Sequence, residues 1–292
     1  TAIKDLFKSD RVLIGADSTK SGANALKTLV KIYNRWIPKN KILTTNVWSS
    51  ELSKLASNAM LAQRISSINS LSAICEKTGA DIDEVSVAIG MDNRIGPKFL
   101  KASVGFGGSC FKKDILNLVY LCRKFDLNEV AEYWYQVIKI NDYQRTRFVK
   151  KILRKLGNDL SEKKISLLGW AFKKDTNDSR ESSAIYIADQ LIKEGAEINI
   201  YDPKVERSRI YLDLRMLWES RGYSKKMIGD LFKRVFVHNN YKSTMIDTSA
   251  IAIITEWDEF TEIDWESIKT FTNDLPTVFD GRRIIKESKL IS

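Results

Sequence analysis

The chain has 292 residues, of which 43% are hydrophobic, and its formal net charge is +10. That apolar share is typical of globular proteins, and the absence of any run of eighteen apolar residues or of a signal-peptide pattern argues against a membrane partner. Lysines and arginines are dispersed among acidic residues, which favours solvated surface and anionic-ligand sites over a nucleic-acid interface.

The three cysteines, Cys75, Cys110 and Cys122, are few and widely spaced. This pattern is typical of reduced thiols in the cytosol, so we expect a cytoplasmic protein without a disulfide framework. A single histidine, His238, and the lack of paired cysteines argue against a metal site.

The sequence pattern of residues 1–46 is typical of an α/β domain. A strand, "RVLIGAD", precedes a helix from Ser21 to Trp36, with Ser21 as the expected N-cap, and a second strand, "KILTTN". The chain begins without methionine and enters a strand within a dozen residues, so either a leader has been removed or the chain is a fragment. We expect a partial, Rossmann-like N-terminal remnant.

Residues 47–160 are expected to form a helical middle domain. Val47 to Thr78 contains neither glycine nor proline, and its apolar residues recur at helical spacing until Gly79. A helix of this length spans roughly 45 Å, more than a small domain needs. It is therefore expected to join domains or to form an oligomer contact.

Residues 161–292 alternate strands with helices, which implies a parallel sheet. The predicted strands lie in "KKISLLG", "EINIYDP", "AIAIITEW" and "TVFDGRR". The fold class is thus α/β: an N-terminal remnant, a long central helix with a helical middle domain, and a C-terminal Rossmann-like domain.

The stretch "GFGGSCFKKD" places Cys110 among glycines and just before a predicted helix. Most lone cysteines are core residues. Glycines permit close approach of a ligand, however, and a helix N-terminus favours a reactive thiolate, so a nucleophile is the alternative. The G-x-G-x-x-G fingerprint is only nearly met, because Cys110 occupies the third glycine position and no strand precedes it.

Three further stretches suggest an anionic ligand. Lys54 and Asn58 lie one helical turn apart, either as a solvated stripe or as a polar pair aimed at a site. "FKKDTNDSRES" and "FDGRR" both follow predicted strands, where parallel sheets bind ligands, although charged turns explain them equally well. Together these stretches indicate a phosphate-bearing ligand near a cysteine.

The stretches "TTNVWSSELSKLASNAMLAQRISSIN", "FLKASVGFGGSCFKKD", "FKKDTNDSRESS" and "FDGRR" closely resemble the UDP-glucose 6-dehydrogenase family of the animal type. The resemblance runs along nearly the whole chain and is loosest between residues 206 and 248. It implies oxidation of the C6 alcohol of UDP-glucose to a carboxylate, with NAD as the cofactor in two successive steps.

The resemblance also implies roles for four catalytic residues. Cys110 is similar to the nucleophile that forms a thiohemiacetal and then a thioester. Lys54 resembles a lysine that stabilises charge on the C6 oxygen or shuttles protons there. Asn58 resembles an amide that holds this oxygen, and Asp114 an aspartate that acts with water as a base.

The family's binding residues carry over in the same way. Lys101 to Gly107 resembles the loop around the uridine diphosphate, and Arg94 resembles an arginine that reaches a neighbouring subunit's site. The implied substrate contacts are Lys54, Asn58, Arg94, Phe99, Lys101, Ser103, Phe106, Gly107, Phe172, Lys173 and Arg282. The implied cofactor contacts are Cys110, Lys113 and Arg180.

The resemblance implies that the long helix forms a dimer, which assembles further into a hexamer. The family's NAD-binding domain carries a glycine fingerprint that this sequence lacks. We therefore expect the carboxyl-terminal two-thirds of such an enzyme, inactive or nearly so by itself. A non-catalytic scaffold subunit and a UDP-sugar-binding module are the alternatives.

Overall fold

A computed structural model describes residues 2–268, 272 and 276–285 of the chain. They belong to two units, Thr1–Met60 and Leu61–Ser292. Across the described residues, every helix is too short or too polar to cross a bilayer.

The first unit contains a small parallel sheet. Its elements are α1 (Ala2–Phe7), β1 (Val12–Gly15), α2 (Lys20–Tyr33), β2 (Ile42–Thr45) and the first part of α3 (Val47–Thr78). β1 and β2 pair in parallel, with Val12 opposite Ile42. The predicted strand–helix–strand order is confirmed. The predicted cap is wrong: Thr19 Oγ1 accepts the Gly22 N–H at 3.0 Å, because Ser21 already lies inside the helix.

The second unit begins with helices. These are the rest of α3, followed by α4 (Ile82–Gly90), α5 (Phe111–Lys124) and α6 (Asn128–Leu156). The predicted long helix is confirmed at both ends. It ends where Gly79 takes a φ of 79° and donates its N–H to the Cys75 oxygen at 2.9 Å.

A five-stranded parallel sheet forms the rest of the second unit. Its strands are β3 (Lys164–Leu168), β4 (Glu197–Tyr201), β5 (Val235–Val237), β6 (Ala250–Ile253) and β7 (Thr277–Asp280), in the order β5-β4-β3-β6-β7. The intervening helices are α7 (Ser183–Lys193), α8 (Arg207–Ser220), α9 (Lys225–Phe232), α10 (Tyr241–Met245), α11 (Asp258–Thr261) and α12 (Trp265–Ile268). The residues of β6 are fully buried, as expected for a central strand of a parallel sheet.

The strand order reverses between β3 and β6. In open parallel sheets, ligands bind outside the carboxyl ends of the strands at such a switch point. The sheet and the parallel pairing confirm the predicted Rossmann-like class, whereas the domain boundaries at residues 46 and 160 stay a prediction.

Candidate functional site

The loops that follow β3 and β6 meet at the switch point. A Cβ added to Gly169 would lie 2.4 Å from the Thr255 Cβ, so glycine is required for this approach. The Thr255 hydroxyl donates to the Ala171 oxygen at 2.6 Å. The start of the "FKKDTNDSRES" segment is thereby fixed against the loop after β6.

Asp202, just after β4, organises the same edge of the sheet. Its Oδ2 accepts the main-chain N–H groups of Trp170 at 2.6 Å and Ala171 at 2.9 Å, and the Trp257 indole N–H at 3.0 Å. Its Oδ1 accepts two further main-chain N–H groups, those of Lys204 and Val205. One buried carboxylate thus connects three loops.

Arg282, in the turn after β7, reaches across this edge. Its Nε donates to the Ile254 oxygen at 2.6 Å, and its Nη2 donates to the Phe172 oxygen at 3.0 Å. The Glu256 carboxylate lies 3.1 Å from Nε. Burial lowers the pKa of Arg282, and the negative charges of Glu256 and Asp280 oppose that shift. A nearly buried cation therefore stands where the sequence predicts an anion contact.

The glycine-rich turn before α5 is held by two buried side chains of α6. The Asn141 side chain accepts the Phe106 N–H at 2.8 Å and donates to the Phe106 oxygen at 3.0 Å. Arg145 Nη2 donates to that oxygen at 2.8 Å and to the Glu181 oxygen at 3.1 Å. A Cβ added to Gly107 would lie 2.6 Å from the Glu181 oxygen, so only glycine fits this contact.

The turn is also bonded to the edge of the sheet. The Val104 N–H donates to the Gly281 oxygen at 2.9 Å, and the Gly108 N–H donates to the Arg180 oxygen at 2.8 Å. Between the turn and the sheet is a cavity of about 210 Å³, lined by Ile65, Phe99, Lys101, Ala102, Ser103, Gly105, Phe106, Glu256 and Arg282. Five of the predicted substrate contacts share it, namely Phe99, Lys101, Ser103, Phe106 and Arg282.

Three more predicted substrate contacts, Gly107, Phe172 and Lys173, adjoin these residues. Gly107 packs against Phe172, whose Cβ would lie 3.0 Å from a Cβ added to the glycine. Lys173 is exposed, with its Nζ 5.6 Å from the centre of the Phe172 ring. Phe172 and Lys173 therefore both border the glycine-rich turn.

Cys110 is the N-cap residue of α5, so the predicted helix does begin just after it. The side chain is exposed, which makes the alternative of a core cysteine wrong. Its main-chain oxygen accepts the Asp114 N–H at 2.9 Å, and its Sγ lies 3.6 Å from the Ser109 hydroxyl. The Asp114 side chain is buried, and one of its oxygens lies 3.6 Å from the Lys113 Nζ. The predicted nucleophile and base are thus one helical turn apart.

Lys112, two residues after Cys110, is paired with a carboxylate. Its Nζ donates to Glu181 Oε2 at 2.9 Å and to the Tyr186 hydroxyl at 3.3 Å, while that hydroxyl donates to Glu181 Oε2 at 2.5 Å. Burial opposes the charge on Lys112, but the hydrogen bonds and charges of Glu181 and Tyr186 together outweigh it, so the net shift of the lysine pKa is upward. Burial likewise opposes the Glu181 charge, yet the bonds from Tyr186 and Lys112 lower the Glu181 pKa.

Two predicted arginines lie outside the cavity. Arg180 is exposed and pairs with Asp178 at 2.8 Å, and this hydrogen bond and charge raise the Arg180 pKa. Arg94 is 89% exposed and pairs with Asp92 at 2.6 Å. The main chain of Arg180 bonds to Gly108, two residues before the thiol, whereas Arg94 does not line the cavity.

Lys54 and Asn58 belong to the first unit. Lys54 is exposed and lines a cavity of about 520 Å³ together with Lys8, Ser9, Asp10, Arg11, Leu13, Ser50, Ser53 and Ser57. Asn58, one turn along α3, is buried. The predicted solvated stripe is thus wrong for Asn58.

Sequence reasoning missed the residues that hold the glycine-rich turn. Asn141, Gln144 and Arg145 are all buried, and Gln144 donates to the Ser103 oxygen at 2.7 Å. The available signal was the spacing: three polar residues three and four apart occupy the buried face of α6.

Comparison with known proteins identifies the family. The central domain of the UDP-glucose/GDP-mannose dehydrogenase family matches residues 48–143, and the UDP binding domain of the same family matches residues 166–287. The chain belongs to the UDP-glucose/GDP-mannose dehydrogenase family. The resemblance seen in the sequence is confirmed.

Individual members of this family match over most of the chain. UDP-glucose 6-dehydrogenase of Mus musculus is 56% identical over 285 residues, which are 98% of this chain and 57% of the mouse protein. The Bos taurus protein of that name is also 56% identical, over 98% of this chain and 56% of its own length. The chain therefore spans little more than half the length of these curated relatives.

The fold agrees with solved members of the family. A UDP-glucose dehydrogenase from the hyperthermophilic archaeon Pyrobaculum islandicum has a TM-score of 0.79 and 27% sequence identity. The match covers 99% of this chain and 59% of the archaeal chain. The fold of this chain is thus one that a solved family member shares.

Proposed function

We propose that this chain is the cysteine-bearing and UDP-binding part of a UDP-glucose 6-dehydrogenase. The observation that carries the proposal is the attachment of the Gly105–Cys110 turn to the sheet's switch point, where Arg282 and the "FKKDTNDSRES" segment lie. The family match over residues 166–287 supports uridine diphosphate as the bound group.

The switch-point cavity would hold part of the substrate. Its volume, about 210 Å³, is below the roughly 300–1,000 Å³ of complete small-molecule pockets. Lys101 and Arg282 supply positive charge for the diphosphate, and Phe99 and Phe106 supply apolar surface. Phe172 and Lys173 extend these contacts at the rim, and the exposed Arg94 would serve a neighbouring subunit.

Cys110 is proposed as the nucleophile. Once C6 is at the aldehyde level, the thiolate adds to the carbonyl carbon and the carbonyl oxygen takes a proton, which gives a thiohemiacetal. After oxidation to the thioester, water attacks the same carbon, the C–S bond breaks and the thiol is regenerated beside the carboxylate product. Asp114, one turn away, would accept the proton from that water.

The remaining catalytic assignments concern α3. Lys54 would stabilise negative charge on the C6 oxygen, and Asn58 would orient that oxygen by a hydrogen bond. Both are proposals from the family motif, and both positions hold the residue that the motif requires.

The chain supplies residues for part of the proposed NAD site. Lys113 and Arg180 both line a cleft of about 880 Å³ that begins beside Ser109, so two cations could hold its phosphates close to Cys110. NAD+, when bound, supplies the acceptor for the hydride removed in each oxidation. The 292 residues contain no G-x-G-x-x-G fingerprint, so turnover is expected only when a dinucleotide-binding domain is supplied.

Self-association is proposed through α3. In the second unit this helix exposes Leu71 and Ile74, which lie three residues apart on one face. Burial of such a face in a dimer would remove apolar surface from water. Sedimentation of the chain and of an Ile74→Lys variant tests this, because a dimer through α3 dissociates in the variant, whereas equal masses contradict it.

Calorimetric titration of UDP-glucose tests the main proposal. The chain is expected to bind the ligand, an Arg282→Ala variant to bind it at least about tenfold more weakly, and an Arg154→Ala control on exposed α6 surface to bind it normally. A Cys110→Ser variant should retain binding but lose turnover in the complete enzyme. A folded chain that does not bind UDP-glucose would contradict the proposal and favour a scaffold, whereas turnover that survives Cys110→Ser would favour a different nucleophile.

A further inference from the structure

The turn at residues 179–182 fixes the chain just before Cys110. The Gly108 N–H donates to the Arg180 oxygen at 2.8 Å, and the buried Arg145 joins the Phe106 and Glu181 oxygens through a single Nη2. Gly107 lies against the Glu181 oxygen at a distance that excludes a Cβ. The main chain of Arg180 therefore restrains Gly108, and the main chain of Glu181 restrains Gly107 by contact and Phe106 through Arg145.

The side chain of Glu181 fixes the chain just after Cys110. Its Oε2 accepts from Lys112 at 2.9 Å and from the Tyr186 hydroxyl at 2.5 Å. Lys112 lies in the first turn of α5, and the Arg145 guanidinium stacks 4.2 Å from the centre of the Tyr186 ring. Cys110 thus lies between two residues that Glu181 contacts, Gly107 through its main-chain oxygen and Lys112 through its carboxylate.

The backbone of Glu181 is itself unusual. Its φ of 54° lies in the left-handed region, which non-glycine residues rarely adopt. Such a conformation persists only where the surroundings over-determine it, and such residues cluster at functional sites. Here the surroundings are the bonds to Arg145, Lys112 and Tyr186.

We propose that Glu181 is a positioning residue that holds the Cys110-bearing turn by its main chain on one side and by its carboxylate, through Lys112, on the other. This inference rests on the proposed role of Cys110 as the nucleophile. Glu181 does not touch the substrate; it fixes where the thiol stands relative to the sheet's switch point. Loss of its carboxylate therefore lets the turn open more often, whereas the main-chain contacts that place Phe106 and Gly107 in the closed turn remain.

Hydrogen exchange of two amides provides the test. The Gly108 N–H reports the main-chain bond to the Arg180 oxygen. The Asp114 N–H, bonded to the Cys110 oxygen, reports the first turn of α5. In a Glu181→Gln variant of the full chain, both amides are expected to exchange about fivefold faster, because the side chain at residue 181 loses its negative charge and its bond to Lys112 weakens. The matched control is Glu132→Gln, which removes an exposed pair with the same 2.9 Å separation, between Glu132 and Lys139, and leaves both amides unchanged.

A charge swap separates positioning from a general loss of stability. Lys112→Glu and Glu181→Lys each place like charges together and are expected to accelerate exchange of the Gly108 and Asp114 amides. The double variant restores an ion pair and should therefore restore slow exchange of both amides. Where the Glu181 variants fail to fold, Tyr186→Phe removes one bond to the carboxylate with little change in volume and is expected to raise exchange about twofold. Unchanged exchange in folded Glu181→Gln, or the lack of rescue by the swap, overturns the inference.

UDP binding distinguishes this inference from the proposed function. Calorimetry with UDP should give the same affinity for the parent chain and for Glu181→Gln. If the parent does not bind UDP, the proposed function fails while the exchange result stands. If Glu181→Gln binds UDP much more weakly than the parent, Glu181 belongs to the binding contacts and the positioning role is overturned.

Discussion

The side chain of Asn141 and the main chain of Phe106 form a closed pair of hydrogen bonds, at 2.8 and 3.0 Å. The Asn141 side-chain amide offers one acceptor and one donor to the Phe106 main chain, as a neighbouring strand would. The glycine-rich turn is thereby fixed in one conformation before any ligand arrives, which favours binding because little ordering remains.

Removal of this pair should destabilise the chain. Asn141→Leu leaves the Phe106 N–H without its acceptor, whereas the Phe106 oxygen keeps Arg145, so we expect a loss of about 2 kcal/mol in the free energy of unfolding. Urea denaturation measures it. Asn128→Ala, at an exposed position of the same helix, is the control and should change stability much less. Equal stability of the two variants would mean that the pair contributes nothing.

Gly107 should not tolerate even one extra methyl group. Its Cβ would lie 2.6 Å from the Glu181 oxygen and 3.0 Å from Phe172, so Gly107→Ala forces the turn away from the sheet. We expect a loss of about 1–3 kcal/mol in stability and a clear loss of UDP affinity. Gly229→Ala is the matched control, because nothing lies within 4 Å of its added Cβ and it lies in α9, where alanine stabilises by about 1 kcal/mol. Normal UDP binding by Gly107→Ala would show that the turn is not part of the site.

The sequence predicted the elements well for physical reasons that are local. The long α3 helix has an uninterrupted apolar period and is followed by a glycine. β6 and most of β3 are apolar, and β4 has isoleucine at alternate positions. Ser21 was the wrong cap because serine and threonine both suit that position, and only the course of the backbone decides between Ser21 and Thr19.

The site was predictable only in part. Arg282 and the glycine-rich turn follow from strand ends and composition, but their partners do not. Asn141 and Arg145 lie some thirty-five residues from the turn that they hold, and Glu181 acts through a left-handed backbone that glutamate rarely adopts. Such contacts depend on tertiary packing, which periodicity and local propensity do not report. The roles of Cys110, Lys54, Asn58 and Asp114 came from family resemblance, and they stay predictions.

Asp202 is expected to be the most sensitive carboxylate at the sheet's edge. It accepts three donors on Oδ2, from Trp170, Ala171 and Trp257, so Asp202→Asn weakens every charge-assisted bond and turns an NH₂ group toward one set of donors. We expect a loss of about 3 kcal/mol in the free energy of unfolding. Asp230→Asn, which affects only the exposed pair with Lys233, is the control and should lie within about 0.5 kcal/mol of the parent. If Asp202→Asn changes the urea midpoint only slightly, the Asp202 carboxylate does not hold the three loops together.

The pair between Glu181 and Lys112 should stabilise the fold within a defined pH window. The Glu181 pKa is lowered from its ordinary 4.5, so its contribution is complete above 4.5 and is lost as the pH falls through the native value. The Lys112 pKa is raised from 10.5, so its contribution is complete below 10.5 and is lost as the pH rises through the native value. The pKa of Tyr186 is raised by burial and by Glu181, so the phenol stays a hydrogen-bond donor over this window.

The measurement is the difference in unfolding free energy between the parent and Glu181→Gln as a function of pH. We expect this difference to be constant between about pH 5 and pH 10 and to shrink on either side. At low pH the Glu181 carboxyl of the parent becomes neutral, as in the variant, and at high pH Lys112 loses its charge. Glu132→Gln should show a flatter profile, because both partners of its pair with Lys139 are about half exposed and solvent screens them. A difference that stays constant through the native pKa of Glu181, or that grows on acidification, would mean that the carboxylate charge does not hold the turn.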